Sequence, residues 1–399
     1  MAKIILCCWG SIMETGIERG LSSLGITCIR LDRELKNYDT DADYLGALSS
    51  LLLSHPDAHF VFSVNFVPVI AMACKAHQVP YLSWTVDCPS LTLYSDTVAY
   101  PTNYLFLFDR IQAEKLSSRN PGHVFHLPLA FDPFTAADLS PTPADHENYD
   151  CDISFVGSLY LRGNKYDAVA DRLSPYLKGY LDAVITAQKQ VYGYYLTEDA
   201  LSDPIVSEFM DLAGFGLLPN YKADRRTLLA DYYLGYKCTQ LERVQILREV
   251  SKLAQTSLYT TEDTASYPEI QNRGIADTAC VAPKVYACSR INLNISLRPI
   301  QSGIPLRCFD IMGMGGFLIS NYQPELAEHF IDGEELVLYE SIPDLLSKIR
   351  YYLSHEEERT AIAACGREKV LKDFTYGIQL TKIIHLFLTS RQDGKQACP

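Results

Sequence analysis

The sequence predicts an α/β protein built from two doubly wound parallel sheets. Three observations carry this reading. At 399 residues the chain is long for a single core. Short apolar runs alternate with helical stretches in two separate series, the pattern of parallel strands covered on both faces by crossover helices. Between the series lies a stretch rich in proline and acid, residues 131–149, with little that can pack.

In the first series, residues 4–8 read as a buried strand turning at Gly10, and residues 14–24 as a helix closed by Gly25. Strands follow at 26–31, 59–63, 79–84, 104–108 and 124–127, with helices at 44–53 and 68–77 between them. This series defines an amino-terminal Rossmann-like domain over residues 1–135, followed by a linker at 136–150. The second domain, residues 151–375, opens with the strand 151–156 and its turn at Gly157 and Ser158. Residues 164–254 read as a helical insertion, too long for one crossover. Strand patterns return at 256–260, 291–295, 316–320 and 336–339. Ser341 with Asp344, and Ser354 with Glu357, match the capping box and predict two helix starts. The last helix, over residues 376–399, presents Tyr376, Leu380, Ile383, Ile384 and Phe387 on one broad apolar face, which needs a partner and suits packing back on the first domain.

Composition narrows the function. A formal charge of −13 leaves no basic surplus to displace counterions from nucleic acid. The amino-terminal apolar run is too short for a secretory core, and no run approaches the length of a membrane span. The expected location is therefore cytoplasmic, with peripheral attachment at the inner membrane face through a partner. Twelve scattered cysteines without a CxxC pair read as free thiols, and no metal site is expected.

Within this acidic chain, residues 278–309 contain no Asp or Glu but include Lys284, Arg290, Arg298 and Arg307. The segment that follows places Asp310, Gly313, Gly315, Gly316 and Phe317 in the order helix, glycine turn, strand. Guanidiniums and free backbone N–H groups favour phosphate, and a carboxylate accepts from sugar hydroxyls. The pattern predicts a pocket for an anion carrying a hydroxylated group, with Arg307 on phosphate and Asp310 on ribose. An intrahelical Arg307–Asp310 ion pair and a purely structural glycine turn are the plain alternatives. Arg290 is preferred to Arg298 as a second phosphate ligand, because Pro299 and Gly303 predict a mobile loop around Arg298. Asn292 and Asn294 share one side of their strand and need partners. Gly157 and Ser158 end a strand where a backbone can approach phosphate, or make an ordinary tight turn. Glu328 follows the strand ending at Ser320 and is a candidate for a sugar hydroxyl.

In the first domain Gly10, Ser11, Glu14, Asn65, Trp84, Asp87, Asp109 and His126 lie near predicted strand ends. Asp87, Glu14 and His126 are the candidate acid–base residues, and Trp84 a candidate platform for a sugar face. The stretch from Tyr100 to Arg110 reads as a strand ending in its own local ion pair at Asp109 and Arg110.

These motifs resemble the bacterial CgeB-like glycosyltransferases, which join an amino-terminal domain of the DUF3880 type to a carboxy-terminal domain related to glycosyltransferase family 1. The resemblance rests on residues 289–296 (SRINLNIS), 303–326 (GIPLRCFDIMGMGGFLISNYQPEL) and 355–359 with Gly366, and upstream on 81–89 (YLSWTVDCP) and 126–130 (HLPLA). It implies a GT-B fold, two Rossmann-like domains facing across a cleft, with a nucleoside diphosphate sugar as donor, UDP-sugar favoured, and no obligatory metal or cofactor. It further implies transfer of a hexosyl group to a hydroxyl on a glycan, protein or envelope precursor, with a second copy of the chain as a candidate partner. Hydrolysis or epimerisation of the donor, and donor binding without turnover, are the alternative functions. Asp310 stands where relatives hold ribose, but the glutamate that many retaining relatives carry eight positions earlier is Ser302 here.

Overall fold

The computed structural model describes residues 2–396 and divides the chain into two compact units. Unit one runs to Asp132 and adds Leu217–Ala223 and the chain from Asp373 onward; unit two comprises Pro133–Gly216 and Asp224–Lys372. No helix among the described residues is long and apolar enough to cross a membrane.

Unit one is a six-stranded sheet of β1 (Lys3–Cys8), β2 (Thr27–Asp32), β3 (Ala58–Val64), β4 (Tyr81–Thr85), β5 (Asn103–Leu107) and β6 (Val124–His126). The order is β2-β1-β3-β4-β5-β6, with every pairing parallel. All five residues of β4 and of β5 are buried, which is why these strands read as continuous apolar runs rather than alternating ones. The helix Tyr376–Gln396 packs against the helix Glu14–Ser23. A Cβ at Gly16 would stand 2.4 Å from the Tyr376 ring, and one at Gly20 would stand 2.6 Å from Leu380, so two glycines admit the apolar face of the last helix. Phe387 adds edge contacts to the rings of Phe60 and Tyr104. Residues 397–399, expected in the same helix, lie outside the described residues.

Unit two holds β7 (Cys151–Val156), β8 (Thr256–Tyr259), β9 (Gln271–Asn272), β10 (Ser289–Asn294), β11 (Leu318–Asn321) and β12 (Val337–Tyr339), in the order β12-β11-β10-β7-β8-β9. Counted from the start of the unit this is 6-5-4-1-2-3, the Rossmann order, and all pairings are again parallel. Its switch point falls between β7 and β10.

Two sequence expectations change. The stretch read as a linker carries the helices Pro133–Asp138 and Pro143–Tyr149, the second started by a capping box between Thr142 and Asp145 and tied to Lys284 by a 2.9 Å ion pair from Asp145. The Ser354 hydroxyl does not start a helix. It donates to the Tyr351 carbonyl at the end of the preceding helix Ile342–Leu353, and the next helix begins only at Glu356.

Candidate functional site

Open parallel sheets bind ligands beyond the carboxyl ends of their strands, at the switch point. In unit two that place lies over the ends of β7 and β10, and four of the expected residues meet there. The Arg307 guanidinium donates to Asn294 Oδ1 at 2.9 Å and lies 5.2 Å from the centre of the Phe155 ring. Gly157 follows β7 with φ +156°, and a Cβ added there would stand 2.6 Å from Arg307 Nη2. Only a hydrogen fits beside that guanidinium. Asn294 is buried and spends its amide on the Ser296 and Ser320 hydroxyls at 3.0 and 2.9 Å, so its carbonyl is aimed at Arg307. The amide of Asn292 likewise finds its partner, the Tyr286 carbonyl, at 2.9 Å. Arg307 therefore does not form the intrahelical pair with Asp310. Asp310 is three residues on in the helix Leu306–Gly313, half-buried. Both residues act on the Tyr286 phenol, whose pKa burial raises, with Arg307 pulling it down and Asp310 pushing it up.

Two residues outside the sequence-predicted set build this site. Arg243, on the helix Tyr236–Ser251, is 2% exposed and donates to the Ser158 carbonyl at 2.6 Å and the Ile295 carbonyl at 3.1 Å. It thus joins the loops that follow β7 and β10. Burial lowers its pKa, and the like charge of Arg307 adds to the shift. Glu262 clamps the same first loop, accepting from the Ser158 hydroxyl at 3.0 Å and from the N–H groups of Leu159, Leu161 and Arg162. Ser158 is consequently a loop-fixing residue, with its hydroxyl on Glu262 and its carbonyl on Arg243.

Four of the expected donor residues lie elsewhere. The helix Leu306–Gly313 starts at the carboxyl edge of the sheet and runs back, so Gly315, Gly316 and Phe317 turn at the opposite edge, beside the start of β10. Gly316 is packed shut, with a Cβ there 2.6 Å from the Tyr286 carbonyl oxygen, and Phe317 is buried against Tyr352. Arg290, near the start of β10, pairs with Asp152 at 2.7 Å and donates to the Leu353 carbonyl, which makes it a cap for the end of the helix Ile342–Leu353 rather than a phosphate ligand. A cavity of about 890 Å³ opens at this rear edge, lined by Arg290, Gly315, Phe317, Arg359 and Arg367. Its size does not make it the donor pocket, because it lies beside the start of β10, at the edge of the sheet opposite the switch point.

Arg298 is not in a mobile loop: it is buried, paired to Glu242 at 2.6 Å and stacked over Tyr192. Glu328 is exposed on the helix Pro324–His329, whereas Glu325 on the same helix is fully buried and accepts from Ser302 Oγ at 2.7 Å. Ser302 is thus bound to a glutamate of the helix Pro324–His329.

In unit one the switch point lies between β1 and β3. Asn65, just past β3, adopts the left-handed conformation with φ 57°. It donates to Asp87 Oδ2 at 2.7 Å and accepts from the N–H groups of Val86 and Asp87. Asp87 keeps an open surface, yet the protein packed around it raises its pKa, against the lowering effect of the Asn65 amide. Its charge in turn contributes to raising the Tyr38 pKa, after burial, and Tyr38 meets Trp9 edge to face at 6.1 Å. Trp9, Tyr38, Asn65 and Asp87 therefore form one polar and aromatic cluster over the strand ends. Glu14 is a structural carboxylate: Oε1 accepts from the N–H groups of Trp9, Gly10 and Ser11 at 2.8, 3.1 and 2.9 Å, shaping the turn after β1. Its Oε1 is thereby committed to the backbone of that turn. Trp84 is fully buried against Tyr376 and offers no open face. Asp109 caps the helix Arg110–Ser117 by accepting from the Gln112 N–H at 2.8 Å. His126 ends β6, at the edge of the sheet and remote in strand order from the β1–β3 switch point.

Comparison with known proteins agrees with this architecture. Residues 243–385 match a family described as glycosyl transferase-like. No curated protein matches the chain. Among solved structures, sucrose-phosphate synthase from Thermosynechococcus elongatus is 9% identical, covers 98% of this chain and 100% of its own, and superposes with a TM-score of 0.55. Anabaena HepE in complex with UDP-glucose is 11% identical over 96% of this chain and 100% of its own, with a TM-score of 0.51. A glycosyltransferase from Rickettsia africae is 12% identical over 98% of each chain, with a TM-score of 0.50. The chain shares the GT-B fold of these solved structures, and residues 243–385 carry the glycosyl transferase-like match.

Proposed function

We propose that the chain transfers a hexosyl group from a nucleoside diphosphate sugar, a UDP-sugar before others, to a hydroxyl on a glycan, protein or envelope precursor, without an obligatory metal. One observation carries this reading: two guanidiniums, Arg307 and the buried Arg243, stand at the switch point of unit two with carbonyls and rings for neighbours and no carboxylate in an ion pair among the described residues. Such a field suits a diphosphate, and it stabilises the charge that grows on the leaving diphosphate as the glycosidic bond breaks, the work a metal does in other enzymes. Asp310 would hold the ribose hydroxyls, and the Gly157 backbone leaves room for a phosphate beside Arg307.

On the acceptor side we assign the hydroxyl proton to Asp87. Asn65 orients its carboxylate, and a raised pKa makes it a better proton acceptor than an ordinary aspartate. Trp9 and Tyr38 supply aromatic surface beside it. The uridine preference takes support from the UDP-glucose complex of the Anabaena relative. The motif at residues 303–326 supports placing the chain among CgeB-like enzymes, acting in the cytoplasm or at the inner membrane face.

The test is a thermal-shift and calorimetric panel of UDP, GDP, dTDP and their hexoses, followed by product analysis with the best donor. A uridine donor that binds wild type and loses affinity in Arg307→Ala, with intact folding, is the expected result. Equal affinity in the two proteins, or free sugar as the sole product over a wide acceptor panel, overturns the assignment.

A further inference from the structure

We propose that His146, Asp150 and Cys288 form a binding site for a divalent transition-metal ion, Zn²⁺ in kind, that fastens the helix Pro143–Tyr149 to the helix Ala282–Cys288. One ligand atom from each residue lies within 4.8 Å of the other two. His146 and Asp150 are four apart and share a helix face, with Nδ1 and Oδ1 2.8 Å from one another. Bonds of about 2.0–2.3 Å to nitrogen, oxygen and sulfur separate tetrahedral ligands by roughly 3.3–3.8 Å, so modest side-chain rotation closes the set around an ion. Thiolate with imidazole selects zinc-like ions over Mg²⁺ and Ca²⁺, which prefer all-oxygen shells. Three protein ligands leave the fourth position to water.

The surroundings hold the ligands in place before an ion arrives. The Thr142–Asp145 capping box fixes the start of the first helix, and the 2.9 Å Asp145–Lys284 pair already joins the two helices. Cys288 is buried and belongs to the lining of the rear cavity of about 890 Å³. The residue directly precedes β10, whereas Asn294 ends that strand. At about 3.3 Å per residue the two are roughly 15–20 Å apart, so the ion braces the fold and stands away from the proposed donor phosphates.

The experiment is a titration of the purified full chain with Co²⁺, a spectroscopic substitute for Zn²⁺. One equivalent should give visible d–d bands of four-coordinate cobalt and a near-ultraviolet thiolate-to-cobalt band. Cys288→Ser should abolish the thiolate band, while His146→Ala and Asp150→Asn weaken binding by about tenfold or more. Because both latter side chains are exposed, these variants fold even where Cys288→Ser does not. Zn²⁺ should raise the melting temperature of wild type and lose that effect in His146→Ala, while UDP affinity stays unchanged by chelation. The double variant Cys280→Ser/Cys365→Ser, which removes the two thiols exposed among the described residues, should keep the thiolate band. A band that survives Cys288→Ser, a band lost in the double variant, or affinity unmoved by His146→Ala and Asp150→Asn together overturns the proposal.

Discussion

Replacing Gly157 with alanine tests the donor site with one methyl group. The added carbon would stand 2.6 Å from Arg307 Nη2, too close for any contact, and φ +156° adds some backbone strain. The obstructing atom is the tip of a flexible side chain, so the guanidinium swings away and the backbone stays. That swing breaks the 2.9 Å bond to Asn294 Oδ1 and leaves a buried acceptor unsatisfied, a cost of about 1–3 kcal/mol in stability. On the ligand side, the charge-assisted hydrogen bonds proposed from Arg307 to a diphosphate would be worth about 1.5–3 kcal/mol, which converts to a loss of roughly 10- to 150-fold in UDP affinity. Calorimetry with UDP and thermal unfolding separate the two effects. A double-mutant cycle sharpens the test, because on an Arg307→Ala background the same alanine has no guanidinium to displace and should change UDP affinity by less than about twofold. UDP affinity within about twofold of wild type in Gly157→Ala, despite a lowered melting temperature, would refute the reasoning.

Arg243→Met should destabilise unit two by about 3–5 kcal/mol, since the Ser158 and Ile295 carbonyls lose a buried charged donor; Arg243→Lys should not restore stability in chemical denaturation, because an ammonium on a narrow stem does not span both oxygens. Gly16→Val should lower the melting temperature of unit one by an amount equivalent to about 1–3 kcal/mol, through the clash with Tyr376, and a Tyr376→Ala change in the same chain should recover part of it. Asp87→Asn should abolish most turnover and leave UDP affinity intact, measured by product formation and calorimetry. Because burial raises the Asp87 pKa, its protonated form is favoured in the folded state, and wild-type stability should fall relative to Asp87→Asn as pH rises through and above the usual carboxylate range. Identical pH profiles of stability in the two proteins would show that the carboxylate is not desolvated.

The strands were legible because most are buried on both faces, where apolar runs are compulsory; β9, two residues long and partly exposed, carries no such pattern. Arg307, Asn294 and Gly157 were legible as residue types at predicted strand and helix ends. Gly315, Gly316 and Arg290 were assigned to the same pocket because they are neighbours in sequence, but an eight-residue helix rises about 12 Å and carries the chain from one edge of the sheet to the other. Strand direction, read together with that length, separates the two groups without coordinates. Arg243 left one usable signal: it stands among Gln240, Val244 and Leu247, buried positions of its helix, and a charge on an apolar face demands a partner. Glu262 left none, since its four donors come from a loop about a hundred residues earlier. The Ser354 motif failed because its hydroxyl had a nearer acceptor, a carbonyl at the end of the helix it terminates.

The contrast between two arginines of unit two bears on why the donor site is positive at all. Arg298 is desolvated and neutralised, held by both oxygens of Glu242, so it closes a structural account with nothing left for a ligand. Arg243 is equally desolvated, but its guanidinium meets carbonyl oxygens and the faces of Phe155 and Tyr160; the like charge of Arg307 acts against it, and Glu242, which favours it, is already paired to Arg298. Burying a guanidinium beside a second one costs free energy in the unliganded protein that a hydrophobic pair of the same volume would avoid. A polyanion bound at the switch point supplies the missing countercharge, and its binding relieves repulsion in the protein as well as forming new hydrogen bonds. The donor's leaving group gains a full negative charge as the glycosidic bond breaks, so the same unbalanced field binds the product side of the reaction more tightly than the sugar-bearing side. UDP should therefore bind more tightly than its hexose conjugate, and the preference should shrink when Arg307 is removed.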